Sequence, residues 1–156
     1  MTLYSGQDIN LGPVTLSLPD PREIENSVSM PDMVEAMTQW LQRAMSGSDT
    51  LYFAIRLDGM LAGQIFLYDL DAHADEAQVG LHLFDPAMRG RGVGPAALAL
   101  LQQYVAEQTS LKRLVFMVAN NHSAALRAAE KCGFRSKGKS KKDSQQVVYV
   151  WNVPTD

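Results

Sequence analysis

The chain has 156 residues, 46% of them apolar, a formal net charge of −3 and one cysteine. Its length reads as a single domain over residues 1–156 whose core needs no metal or disulfide, and its charge excludes a general nucleic-acid or anionic-membrane binder, which would need a basic face. Cys132 alone allows no internal disulfide or Cys-rich zinc site, no apolar run reaches membrane-span length, and no basic-then-hydrophobic leader opens the chain, so a soluble cytoplasmic protein is expected.

In chain order, Val14, Leu16 and Leu18 alternate with polar residues as in a strand, which Pro19-Asp20-Pro21 breaks. A short helix is expected over residues 22–27. A longer one follows over 33–45, with Met33, Met37, Trp40, Leu41 and Ala44 at helical spacing and Ser46-Gly47-Ser48 ending it. The acids here, Asp20, Glu23, Glu25, Asp32 and Glu35, read as solvated helix faces, with attraction of an amine as the functional alternative. Two apolar runs, residues 51–57 and 60–68, are joined by Asp58-Gly59, the strongest hairpin signal in the chain. After the polar loop 69–76 a strand over 77–84 puts Ala77, Val79, Leu81 and Leu83 on a core face. Glu76, Gln78, Gly80, His82 and Phe84 lie on the other, where chemistry can sit.

That strand runs through Asp85-Pro86 into Met88-Arg89-Gly90-Arg91-Gly92-Val93-Gly94-Pro95 and then a helix over 96–108. Alternate glycines let backbone amides turn outward. Beside a helix N-terminus such amides, with Arg89 and Arg91, suit a phosphate or pyrophosphate. Gly94 is the expected N-cap, and Pro95 fits the first turn, where a missing N–H costs little. No Gly-Lys-Ser/Thr follows, so this is not a P-loop. The glycine spacing also misses the dinucleotide fingerprint Gly-x-Gly-x-x-Gly. The helix buries Ala97, Leu98, Leu101, Tyr104 and Val105. Residues 114–118 form an apolar run read as a strand covered on both sides. Ser123 is the expected N-cap of the next helix and Gly133 its C′ residue, with Cys132 packed on the last turn. Residues 135–143, carrying Lys137, Lys139, Lys141 and Lys142, read as a solvated hairpin loop before a last strand over 146–151. The order β-α-α-β-β-β-α-β-α-β-β gives a mixed α/β fold, with helices on both faces of one sheet.

Arg89-Gly90-Arg91-Gly92-Val93-Gly94 resembles the Arg/Gln-x-x-Gly-x-Gly/Ala signature of the GNAT superfamily of acetyl-CoA-dependent N-acetyltransferases. A second stretch, from Asn121-His122-Ser123 to Glu130-Lys131-Cys132-Gly133-Phe134, resembles the Asn-x-x-Ala/Ser helix and Glu-Lys-x-Gly-Phe that close the same site. The wording of this second stretch is most similar to the ribosomal-protein N-acetyltransferase branch. The resemblance implies a mostly antiparallel sheet with acetyl-CoA in a V-shaped opening between residues 79–84 and 114–118. The pantetheine would pair with His82, Leu83 and Phe84, the pyrophosphate would sit on Arg89, Gly90, Arg91, Gly92, Val93 and Gly94, and Asn121 or Asn120 would touch the pantetheine. It admits a homodimer through the final strands and implies no metal.

Acetyl transfer to an amine needs an unprotonated nitrogen, a polarised carbonyl and a stabilised leaving thiolate. A backbone N–H at Leu83 or a neighbour is the expected polarising donor. The family's frequent glutamate falls on Gln78, which cannot be a base, leaving Glu76, through a water, and His82 as candidates. Where many relatives carry a thiolate-protonating tyrosine this chain has Ala129; Ser123 and Tyr149 are the substitutes considered. The expected activity is direct transfer from acetyl-CoA to a primary amine of a small molecule or protein N-terminus. A non-catalytic acyl-CoA-binding module is the alternative, motivated by Gln78 and Ala129; RNA contact by the Arg-Gly loop is a weaker one.

Overall fold

The computed structural model describes residues 9–18, 21–27, 31–47, 49–71, 75–84 and 92–154. In order they form β1 (Ile9–Leu11), β2 (Val14–Ser17), α1 (Pro21–Ser27), α2 (Pro31–Ser46), β3 (Leu51–Leu57), β4 (Met60–Asp71), β5 (Glu76–Leu83), α3 (Val93–Gln108), β6 (Arg113–Ala119), α4 (Ser123–Lys131), β7 (Arg135–Lys139) and β8 (Gln146–Asn152). The strands make one sheet in the order β1-β2-β3-β4-β5-β6-β8-β7. Every pairing is antiparallel except β5 with β6. The mixed α/β architecture is the one the element order implied, and the mostly antiparallel pairing is the one the resemblance implied.

The β3–β4 hairpin turns where Asp58 (φ 52°) and Gly59 (φ 84°) both take positive φ, as a two-residue type I′ turn requires. Each sheet face has its own apolar cluster. On one, Val93, Ala97, Leu98, Leu101 and Val105 of α3 pack with Leu16, Phe53, Ile55, Ile65, Ala77, Val79, Leu114 and Phe116. On the other, Ile24 of α1 and Met37, Leu41 and Ala44 of α2 pack with Tyr52, Ala54 and Phe66. Arg56 of β3 ties the second layer down, donating to Ser17 Oγ at 2.7 Å and to both carboxylate oxygens of Glu23. Glu23 is therefore an anchor of α1, whereas Glu25, Asp32 and Glu35 are exposed as expected and Asp20 lies outside the described residues.

Several local readings change. Residues 9–11 add an edge strand, and residues 135–139 are the edge strand β7, not loop. All five residues of β7 are exposed, so no apolar pattern marks it; main-chain pairing to β8 makes the strand, and its cations blunt the edge. Burial along β6 alternates, with Leu114, Phe116 and Val118 inside, because only one of its faces is fully covered. Helix α3 begins at Val93 with Gly92 as N-cap instead of Gly94, since Gly92 is the residue at φ 78°. His122, not Ser123, caps α4: its Nδ1 accepts from the Ala125 N–H at 3.2 Å. Gly133 (φ 86°) does end α4, with Phe134 N–H reaching back to Ala129 O at 3.0 Å.

Phe66 organises the α1–α2 face. Its ring, 2% exposed, stacks on Trp40 at 4.1 Å between centroids and lies over Gly80, where a Cβ would fall 2.3 Å from its Cζ. Hemmed in by Trp40, Tyr52 and Tyr68, the ring cannot swing aside. Gly80→Ala is thus expected to destabilise the fold by about 1–3 kcal/mol, the usual cost of overpacking. A lowered urea midpoint at constant m-value is the expected reading, and an unchanged midpoint refutes the packing argument.

Candidate active site

Strands β5 and β6 pair only from Glu76↔Arg113 to Val79↔Phe116 and then part. On the far side β5 stays paired with β4 to Gly63↔Leu83, and Phe84 N–H donates to Ala62 O at 3.0 Å. Antiparallel pairs alternate between exchanging two hydrogen bonds and none. Pairs 84/62 and 82/64 are the bonded kind, so the main chain of Leu81 and Leu83 faces the gap. By the same alternation, Val153 N–H to Lys112 O and Asn120 N–H to Gln145 O commit the even-numbered residues of β6 to β8 and turn Met117 and Ala119 toward the gap. Main-chain groups that face such a gap need partners.

The gap is one flank of a cavity of about 570 Å³. Leu81, His82 and Leu83 line it from β5, Phe116, Met117, Val118 and Ala119 from β6, and Gly92, Gly94 and Pro95 from the start of α3. His122, Ala125, Arg127, Ala128 and Lys131 close it from α4, and Met33 of α2 reaches it from the other sheet face. At the mouth of α3 the N-cap is Gly92, and among the described residues no side chain caps the Val93 and Gly94 amides of the first turn, which have the positive end of the helix dipole behind them. A Cβ built on Gly92 meets nothing within 4 Å; its positive φ is what calls for glycine. The site therefore fits an elongated ligand with amide-like groups along its length and an anion at one end.

His82 stands on the α1–α2 face of β5, its Nδ1 2.9 Å from Gln64 Nε2; Tyr52 donates its hydroxyl to Gln64 Oε1 at 3.0 Å. Gln64 and Tyr52 are buried, at 0% and 1% exposure. The imidazole opens to the cavity but is ringed by protein, with Phe66 at 5.9 Å between centroids. This desolvation, reinforced by the nearby His122, holds its pKa below the usual value. Burial keeps Tyr52 protonated far above its ordinary range. On the opposite flank His122 accepts an N–H at Nδ1, so that nitrogen carries no proton and the ring's proton sits on Nε2.

Of the residues singled out from sequence, His82, Leu83, Gly92 and Gly94 come together on the cavity. His82 and Phe84 direct their main chains to β4, so Leu81 takes their place beside Leu83 along the gap. Val93 is buried in the first turn of α3, and Asn121 is exposed in the β6–α4 turn, outside the lining, as is Asn120. Arg89, Gly90 and Arg91 lie outside the described residues. Glu76 accepts from Arg113 Nε at 2.7 Å, and stands six residues, about 20 Å of extended strand, from His82. Ser123 and Tyr149 do not line the cavity; the Tyr149 hydroxyl donates to Glu130 at 2.9 Å. Cys132 is half-buried, its thiol raised in pKa by burial and directed at Pro95 O at 3.4 Å. Sequence reasoning passed over Met33, Gln64, His122, Arg127 and Lys131. Gln64 was within reach, because the Asp58-Gly59 turn fixes its strand; His122 was hidden behind a better-looking cap, Ser123. Among the described residues no cluster of His, Cys, Asp and Glu could hold a metal, and no helix is long and apolar enough to cross a membrane.

The profile of a family described as Acetyltransferase (GNAT) domain matches residues 11–135. No curated protein sequence matches the chain. Among solved structures, the microcin C7 self-immunity acetyltransferase MccE in complex with acetyl-CoA and AMP superposes with a TM-score of 0.74 at 20% identity, over 90% of this chain and 93% of that one. RimL, a ribosomal L7/L12 alpha-N-protein acetyltransferase in complex with coenzyme A, gives 0.75 at 16%, over 96% and 100%. Spermidine N-acetyltransferase from Vibrio cholerae, with CoA and spermine, gives 0.72 at 15%, over 92% and 97%.

The His82 ring should titrate below the ordinary 6.5, which a histidine-labelled NMR titration reads directly. In the unfolded chain it titrates near 6.5, so the unfolded state binds more protons just below that value. Acidification through this window therefore lowers stability, and His82→Gln should remove that part of the pH dependence. A titration at or above 6.5 contradicts the burial argument.

Proposed function

The chain belongs to the GNAT family of acetyltransferases, and on that premise we propose that it transfers acetyl from acetyl-CoA directly to a primary amine. The observation that carries this reading is the parting of β5 from β6, with the uncapped start of α3 at one end of the gap and His82 beside it. The main chains of Leu81, Leu83, Met117 and Ala119 would hold the pantetheine as an added strand. The first-turn amides of α3 would hold the pyrophosphate, helped by the expected Arg89–Gly94 loop and the cations Arg127 and Lys131. Acetyl-CoA, when bound, supplies an acyl carbonyl activated as a thioester. Leu83 N–H polarises that carbonyl. His82 Nε2 takes the proton of the attacking nitrogen, and His122 Nε2–H donates toward the sulfur as the C–S bond breaks. Glu76, tied to Arg113 and distant, takes no part in this scheme.

Magnitudes favour one acceptor class. Burial holds His82 below its ordinary value, so it is a weak base toward either amine. A protein α-amine, titrating near 8, is nonetheless about 2.4 units easier to deprotonate than an alkylamine near 10.4. Nor does any Asp or Glu among the described cavity-lining residues offer a partner for the second charge of a polyamine. We therefore favour an N-terminal α-amine, the group named for RimL, over a polyamine like that bound to the spermidine enzyme.

Steady-state CoA release over a panel of peptides, aminoglycosides and polyamines tests the reading; higher kcat/KM for peptides is expected. Acetyl-CoA binding without release over any amine favours the non-catalytic acyl-CoA-binding module instead. His82→Gln should lower kcat by about 10²- to 10⁴-fold on the plateau above the acid limb and abolish that limb. Gly92→Ala, strained at φ 78°, should weaken acetyl-CoA binding, while Gly92→Asn, which tolerates the left-handed region, should weaken it less; equal and unchanged dissociation constants argue against the α3 anchor.

A further inference from the structure

We propose that Gln64 is the positioning residue that decides which nitrogen of His82 carries its proton, by turning its amide between Tyr52 and the imidazole. The proposal rests on His82 acting as the base. Gln64 sits opposite His82 in the β4–β5 register, on the face it shares with Tyr52, and is wholly buried. Its amide therefore has two partners and no water. With Nε2 toward His82, the amide donates to Nδ1 and Tyr52 donates to Oε1. The ring proton is then on Nε2, the nitrogen left for the cavity, and the ring cannot accept there.

Turned by 180°, the amide offers Oε1 to an Nδ1–H and donates Nε2–H to the Tyr52 oxygen. A hydroxyl both donates and accepts, so the buried amide keeps two hydrogen bonds in either state. Only the second state leaves the His82 Nε2 lone pair free, and only it stabilises the imidazolium formed when the amine proton arrives. Tyr52 serves both states because burial denies it ionisation.

A neutral amide gives the imidazolium less help than a carboxylate, in keeping with the low basicity of the ring. The other proton-bearing or charged groups around His82 are Tyr52 on β3, Tyr68 on β4, His122 at the β6–α4 turn, and Arg127 and Lys131 on α4. Asp32 and Glu35, flanking Met33 on α2, are exposed. Among the described residues of the cavity wall no carboxylate faces the ring, so the amide of Gln64 is its one direct polar contact there.

The test combines the pH profile of kcat/KM with ¹⁵N shifts of the His82 ring. In the wild type above the acid limb, a measurable share of the Nδ1–H tautomer is expected; a ring held purely as Nε2–H at every pH overturns the proposal without any variant. Gln64→Glu should enrich Nδ1–H and move the acid limb up by a unit or more, a tenfold change in proton concentration. Gln64→Met should favour Nε2–H and lower kcat about tenfold at unchanged KM for acetyl-CoA. Should both variants fold and keep the wild-type tautomer and limb, Gln64 has no such role. If His82→Gln itself retains the limb, the base assignment fails instead, whatever Gln64 does.

Discussion

The structure turns on a parallel strand pair that stops pairing halfway. From Glu76 to Val79, β5 is held on both sides; beyond Val79 it keeps β4 and loses β6. Main-chain groups so exposed inside a fold need partners, and here they line a cavity wide enough for an extended chain to supply them. The start of α3 and the start of α4 both converge on this opening, because each helix follows one of the two diverging strands. The strand ends thus explain why an anion-seeking helix terminus, Gly92 and Gly94, and a histidine cap, His122, share one wall.

The two-layered core is what lets polar side chains such as Gln64 and Tyr52 be buried in the middle of a sheet. Leu81 and Leu83 pack with the α3 cluster, whereas His82 stands on the α1–α2 face, its ring 5.9 Å between centroids from Phe66 and open to the cavity. A single-layered sheet would have left Gln64 in solvent, where water would compete for its hydrogen bonds with Tyr52 and His82. Gly80 belongs to the same device, since its missing side chain is the space Phe66 occupies.

Elements with a hydrophobic period or a distinctive turn were legible in the sequence: the amphipathic α2, the apolar α3, and the hairpin at Asp58-Gly59. Of the glycine loop only the end is described: Gly92, at φ 78°, is the N-cap of α3, ahead of the expected Gly94, and residues 85–91 lie outside the described residues. The element order counted a strand before β8, but its bounds were illegible, since Arg135, Ser136, Lys137, Gly138 and Lys139 bury nothing and owe their conformation to β8. The cap of α4 was misread by preference statistics, which rank Ser123 above His122, while the folded backbone brings the His122 ring to Ala125 N–H. Of the site, His82, Leu83, Gly92 and Gly94 were readable as residues that share one cavity. The polar set around His82 was not, because Tyr52, Gln64 and His82 stand on three strands and meet only through pairing register.

That register also separates the two base candidates, which sequence alone could not. Glu76 and His82 share a strand face, so alternation treats them alike; pairing does not. Glu76 lies where β5 and β6 are still joined, opposite Arg113, and an ion pair forms across the closed part of the sheet. His82 lies past the parting, where the neighbour is an opening and the partner across β4 is a neutral amide. A carboxylate at the closed end is engaged by its cross-strand cation, while an imidazole at the open end keeps one nitrogen for whatever enters. The same two strands thus place one residue in a cross-strand ion pair and the other on the cavity wall, according to the point at which they separate.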